Sequence, residues 1–181
     1  MITVTLDTNM LDEATLSALY SAAAAKGVGI DVRTVTVNRR ERGGSAGIPE
    51  IAEPFVWDES SWDEGAWGDD RTVRELLVLD ETPLGSGVLA GVADVTRLEA
   101  ILKVISNGSF PPAGQRGDTL TSPQRRQFRD AMSLEAHARE GRDVFVTGDL
   151  RGFINHGRRD ALERLCSTRI VAVDEIGTSW P

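Results

Sequence analysis

The stretch from Asp130 to Phe153, DAMSLEAHAREGRDVFVTGDLRGF, constrains this chain more than any other. Ala131, Met132, Leu134, Ala136 and Ala138 recur at the spacing of an amphipathic helix, and Gly141 ends the run. Val144, Phe145 and Val146 follow as a short buried strand. Strand ends of this kind open onto the ligand crevice of an α/β sheet, and Asp149 sits at one of them. Asp130, near the start of the helix, could point into the same crevice. Two carboxylates facing one hole repel unless a cation joins them.

The N-terminal segment repeats the arrangement. Ile2, Val4 and Leu6 alternate as a strand, Asp7, Thr8 and Asn9 follow its end, and a helical run from Leu11 to Lys26 closes at Gly27. Further elements are a strand over 30–37, a candidate strand over 73–79 and short helices between 83 and 106. After a loop from Asn107 to Pro123 come a long helix over about 124–140, strand 143–147, helix 157–166 and strand 169–173. Alternation of this kind predicts helices packed on a mostly parallel sheet, and 181 residues with 40% hydrophobic content suit one domain spanning 1–181.

LDTN at 6–9, DAMSLEAHA at 130–138 and FVTGD at 145–149 followed by Phe153 resemble, in this order, the three landmark segments of PIN-domain nucleases. The resemblance implies a three-layer α/β/α fold and Mg²⁺- or Mn²⁺-dependent hydrolysis of RNA. Asp7, Asp130 and Asp149 would then be catalytic and metal-binding, with Asn9 and Thr147 hydrogen-bonding the carboxylates or the scissile phosphate. The family adds a central acid, often in Glu-Leu-x-x-Gly, but that spacing counted back from Gly91 falls on Gly87. Glu81 is the substitute this sequence offers, and Asp80, Glu75 and Glu99 are alternatives. Many compact members are VapC-type toxins of toxin–antitoxin pairs, so the expected partners are RNA, an antitoxin or other protein, or a second copy of the chain in a homodimer.

Composition leaves carboxylates as the only metal ligands. Cys166 is the single cysteine and His137 and His156 are the only histidines, so a cysteine or histidine metal site has too few members. Oxygen ligands suit hard cations such as Mg²⁺ or Mn²⁺. Cys166 reads as a small core residue and His137 as a structural or surface one. No run approaches the roughly 18 apolar residues that span a bilayer, and no basic leader opens the chain, so a cytoplasmic location without membrane contact is expected.

A net charge of −8 opposes phosphate binding, but it is concentrated. Residues 50–81 hold eleven acids against Arg71 and Arg74, while the remainder holds 18 basic and 17 acidic residues. Only Lys26 and Lys103 are lysines; the other cations are arginines, whose planar forks suit phosphate. The cluster Arg151, Arg158 and Arg159, directly after Asp149, is the expected substrate grip. Clusters at Arg39, Arg40 and Arg42 and at Arg125, Arg126 and Arg129 are further candidates.

Trp57, Trp62 and Trp67 recur every five residues in WDESSWDEGAW, a period of neither helix nor strand. They mark an acidic insertion over about 40–72, read as a loop whose tryptophans cap the core or as a lid over an arginine groove. A non-catalytic PIN-like module that binds RNA or protein is the competing function. Phosphoryl-transfer folds with strand-end aspartates fit less well, because LDTN lacks the second aspartate of a DxD motif.

Overall fold

A computed structural model describes residues 1–37, 48–52, 54–55, 88–89, 91–116, 120–176 and 178. The described strands are β1 (Ile2–Leu6), β2 (Ile30–Val35), β3 (Glu50–Ile51), β4 (Pro54–Phe55), β5 (Val88–Leu89), β6 (Val144–Thr147) and β7 (Arg169–Ala172). The described α-helices are α1 (Glu13–Ala25), α2 (Val92–Ile105), α3 (Ser122–Arg139) and α4 (Arg158–Cys166). Five strands form one sheet in the order β3-β2-β1-β6-β7, and every neighbouring pair is parallel. Strands β4 and β5 form a separate parallel pair.

The alternation of strand side chains builds three layers. Val4, Leu6, Val144, Val146 and Val171 pack with Leu19 of α1 on one face. Phe145 and Ile170 point the other way and join Leu98, Ile101, Phe128, Met132 and Leu162 from α2, α3 and α4. Cys166 is buried in that second cluster, as expected, and burial pushes its thiol up to about 12.

Several boundaries move for local reasons. Helix α1 begins two residues later than the apolar pattern suggests, because Asp12 caps it by accepting the Thr15 amide at 2.8 Å. Among the described residues of the region expected to carry short helices lies a 14-residue helix, α2. Glu50–Ile51, within the stretch expected to hold the insertion, is among the described residues the outermost strand of the main sheet, pairing with Thr34 and Val35. The tryptophan repeat, Glu75, Asp80 and Glu81 lie outside the described residues.

Helix α3 departs from simple amphipathicity. Residues 131–137 are all buried, including Ser133, Glu135 and His137, so its second half is enclosed on every side. Glu135 and His137 survive there because each finds polar partners. Glu135, fully buried, receives Arg97 at 3.1 Å and Arg139 at 3.5 Å; burial pushes its carboxyl up against the opposing pull of Arg139 and Arg97. His137 is held between the hydroxyls of Thr5 at 2.8 Å and Thr168 at 2.5 Å. Beside it Arg142 clamps the first two strands, donating to the Val4 carbonyl at 2.9 Å and to the Asp31 carboxylate at 2.9 Å.

Burial, reinforced by the Arg142 charge, pushes His137 down to about 3 from its ordinary 6.5. The unfolded chain therefore takes up a proton that the folded chain refuses, so this contribution is complete above pH 6.5 and is lost as pH falls. Lowering pH from 7 to 5 should cost about 2 kcal/mol of stability, read as a lower urea midpoint. Asp143, held low by the Thr3 amide and hydroxyl, adds its loss only further down, and Glu135 acts in the opposite sense. The same pH dependence in His137→Gln as in wild type would contradict a neutral, buried His137, because that comparison cancels the contribution of Glu135. Among the described residues no helix is long and apolar enough to cross a membrane.

Candidate metal and phosphate site

The strand order places a topological switch between β1 and β6. From β1 the chain moves outward to β2 and β3, and its later strands β6 and β7 lie on the opposite side. Connections leave such neighbouring strands in opposite directions, opening a crevice beyond their carboxyl ends. Asp7 directly follows β1, and Asp149 lies two residues beyond β6.

Asp7 is 2% exposed. Its Oδ1 accepts the Thr8 amide at 2.8 Å, capping the 3₁₀ turn Thr8–Met10, and its own amide bonds Val146 across the seam at 2.9 Å. Its Oδ2 accepts the Thr147 hydroxyl at 2.7 Å, and the same Thr147 oxygen accepts the Asp149 amide at 3.0 Å. A hydroxyl both donates and accepts, so Thr147 locks the backbone of one strand-end aspartate to the carboxylate of the other.

Asp149 turns its Oδ1 onto the amides of Arg151 and Gly152, each at 3.0 Å. These amides begin a π turn, Leu150–Ile154, closed by the Asn155 amide on the Leu150 carbonyl at 2.7 Å. Wide turns of this class are rare and gather at functional positions. Gly152 is required sterically: a Cβ there would lie 2.5 Å from Asp149 Oδ2 and 3.2 Å from its Cγ. Gly152→Ala should displace the carboxylate while leaving the unfolding midpoint within about 1 kcal/mol of wild type, and should lower by about 10–100-fold any activity that depends on where Asp149 stands. An alanine variant with wild-type activity would show that the observed Asp149 position is dispensable.

Asp149 and Asp130 line one groove of about 380 Å³, together with Arg126, Gln127, Arg151 and Arg158. Asp130 is the ninth of eighteen residues in α3 rather than close to its start. It reaches the groove because Ser122, Arg126 and Asp130 repeat every four residues along one stripe of the helix. Arg158 also donates to the Arg151 carbonyl, tying the two cationic residues together. Arg159 is directed elsewhere, pairing with Glu175 at 2.9 Å, and it is not among the described residues that line the groove. Glu99 is bound by both terminal nitrogens of Arg116, at 2.7 and 2.5 Å, and lines a different cavity. Asn9 is exposed, with its Cβ 3.9 Å from where a side chain on Gly148 would begin.

Sequence reasoning does not single out Arg126 or Gly152 individually. The signals are nonetheless present: Arg126 precedes Asp130 by one helical repeat, and Gly152 follows Asp149 at a spacing that brings its amide back to the carboxylate.

Among the described residues, no group of three or more His, Cys, Asp or Glu side chains is gathered closely enough to hold a metal ion. Two carboxylates opening on one groove nonetheless match the chemistry of Mg²⁺, which keeps several waters and takes one or two carboxylates plus substrate phosphate. Arg126, Arg151 and Arg158 around them carry the positive charge and forked donors that suit a phosphate. Comparison with known proteins returns no matching family model, no matching curated protein and no matching solved structure.

Proposed function

We propose that the chain is a divalent-metal-dependent ribonuclease of the PIN-like kind, hydrolysing RNA phosphodiester bonds at the groove beside the β1/β6 seam. The observation that carries this reading is the pairing of Asp130 and Asp149 in a groove walled by Arg126, Arg151 and Arg158. Such a groove unites metal-ligand chemistry with phosphate-binding chemistry.

Asp130 and Asp149 would hold Mg²⁺ or Mn²⁺, which supplies an acidified water and charge neutralisation at the phosphate. The arginines hold the nonbridging oxygens and orient the scissile bond. Asp7 acts through Thr147, fixing the Asp149 backbone so that the carboxylate presents the same edge in every turnover. Gly152 leaves the space that the carboxylate occupies. No side-chain nucleophile is required.

The decisive comparison is wild type against Asp149→Asn in Mn²⁺. Wild type should cleave labelled RNA and gain thermal stability from the ion, and the variant should cleave about 10²–10³-fold more slowly and gain no stability. A catalytically inactive module binding RNA or protein is the second reading, favoured by the lack of a three-ligand group among the described residues. Wild type that binds RNA yet neither responds to Mn²⁺ nor cleaves would select it.

A further inference from the structure

Arg158 belongs to two cavities. On one side it walls the Asp130–Asp149 groove, and on the other it lines a separate groove of about 580 Å³ with Lys103, Asn107 and His156. Among the described residues that line this second groove none is acidic. Lys103, one of only two lysines in the chain, is exposed, as is His156. An ammonium, a guanidinium, an amide and an imidazole together offer hydrogen-bond donors and positive charge to one ligand.

The backbone adds a second observation. Asn107 and His156 have φ of 53° and 61°, and among the described non-glycine residues only Ser167 shares this left-handed region. Asn107 closes α2, its amide on the Val104 carbonyl at 3.2 Å and the Gly108 amide on the Lys103 carbonyl at 2.8 Å. Glycine would serve both backbone positions with less strain, yet side chains capable of hydrogen bonding stand at each. They flank the same groove from two elements far apart in sequence.

We propose that the Lys103–Asn107–His156–Arg158 groove is a second phosphate subsite, holding the backbone of the same single-stranded RNA beyond the bond placed at Asp130 and Asp149. It rests on the ribonuclease reading for the identity of the strand. A cavity of this size exceeds what one inorganic phosphate fills, and the shared Arg158 sets it beside the first groove, so that successive phosphates of one strand can meet the two in turn. Substrate length is thereby sensed: a dinucleotide spans only the first groove, and a longer strand engages both.

The test uses the full chain with Lys103→Ala and His156→Gly combined, glycine being chosen because it suits the left-handed backbone. Binding of a fluorescein-labelled 12-nucleotide poly(U) RNA and of a uridine dinucleotide is measured in chelator, so that no cleavage intrudes, across a range of salt. The variant should bind the 12-mer about tenfold more weakly, with a log–log salt slope shallower by about 0.7 for each phosphate no longer neutralised. Dinucleotide binding should be unchanged. An unaltered slope and 12-mer affinity would overturn the subsite, even if wild type cleaves RNA in Mn²⁺. A shallower slope in a protein that cleaves nothing in Mn²⁺ would support the subsite and reject the ribonuclease reading. A wild-type chain that binds no 12-mer would overturn the subsite, and cleavage in Mn²⁺ then decides the ribonuclease reading separately.

Discussion

Replacing Asp149 by asparagine should lower Mn²⁺-dependent RNA cleavage by about 10²–10³-fold, the loss typical of removing one preorganised charge-stabilising group. The substitution separates charge from architecture. An asparagine side chain keeps an oxygen that can accept the amides of Arg151 and Gly152, now met at 3.0 Å each, so the π turn has no reason to open. The variant's stability without metal should stay within about 1 kcal/mol of wild type, whereas Asp149→Ala removes the acceptor and should cost about 1 kcal/mol more. Wild type should gain about 2.7 kcal/mol at a Mn²⁺ concentration one hundredfold above its Kd, and Asp149→Asn should gain none at that concentration. Full cleavage by the asparagine variant would make the carboxylate a helix-end cap and nothing more.

The parts of this architecture legible in the sequence are those set by local pattern. Val4 and Leu6, or Val144 and Val146, alternate with residues of the opposite face, and that period of two announces a strand wherever it falls. The strand ends therefore locate Asp7 and Asp149. Their relation to one another is less accessible, because the Thr147 hydroxyl joins residues 140 positions apart in sequence. Asp130 shows the same limit: its helix is plain from spacing, but the stripe of α3 that faces the groove follows from how the helix docks on the rest of the fold.

Buried polar residues mislead pattern reading most. Glu135 and His137 should face water in an amphipathic helix, yet Arg97, Thr5 and Thr168 receive them from distant segments. The two-residue strand Glu50–Ile51 has too little periodicity to announce itself, and only its pairing with Thr34 and Val35 defines it. For the central acid the sequence offers Glu81, Asp80, Glu75 and Glu99; the salt bridge to Arg116 accounts for Glu99, and the other three lie outside the described residues.

Phe153→Ala should produce the largest change in stability, about 3–5 kcal/mol, against a total of about 5–15 kcal/mol for a typical domain. The ring is fully buried, lies 5.3 Å from that of Phe145 and shares a cluster with Leu162 and Ile170. It also stands in the π turn whose first amides hold Asp149, with its own amide on the Asp149 carbonyl at 3.1 Å. Removing the ring takes away the anchor that keeps this turn on the sheet, so cleavage should fall further than the folded fraction alone predicts. Phe153→Leu, which keeps most of the volume, should cost less than about 1.5 kcal/mol and retain activity. Urea unfolding gives the first quantity, and cleavage at a temperature where both variants are folded gives the second. If folded Phe153→Ala cleaved RNA as fast as wild type, the core beneath the turn would be irrelevant to the carboxylate's placement, and packing would not be coupled to chemistry through this ring.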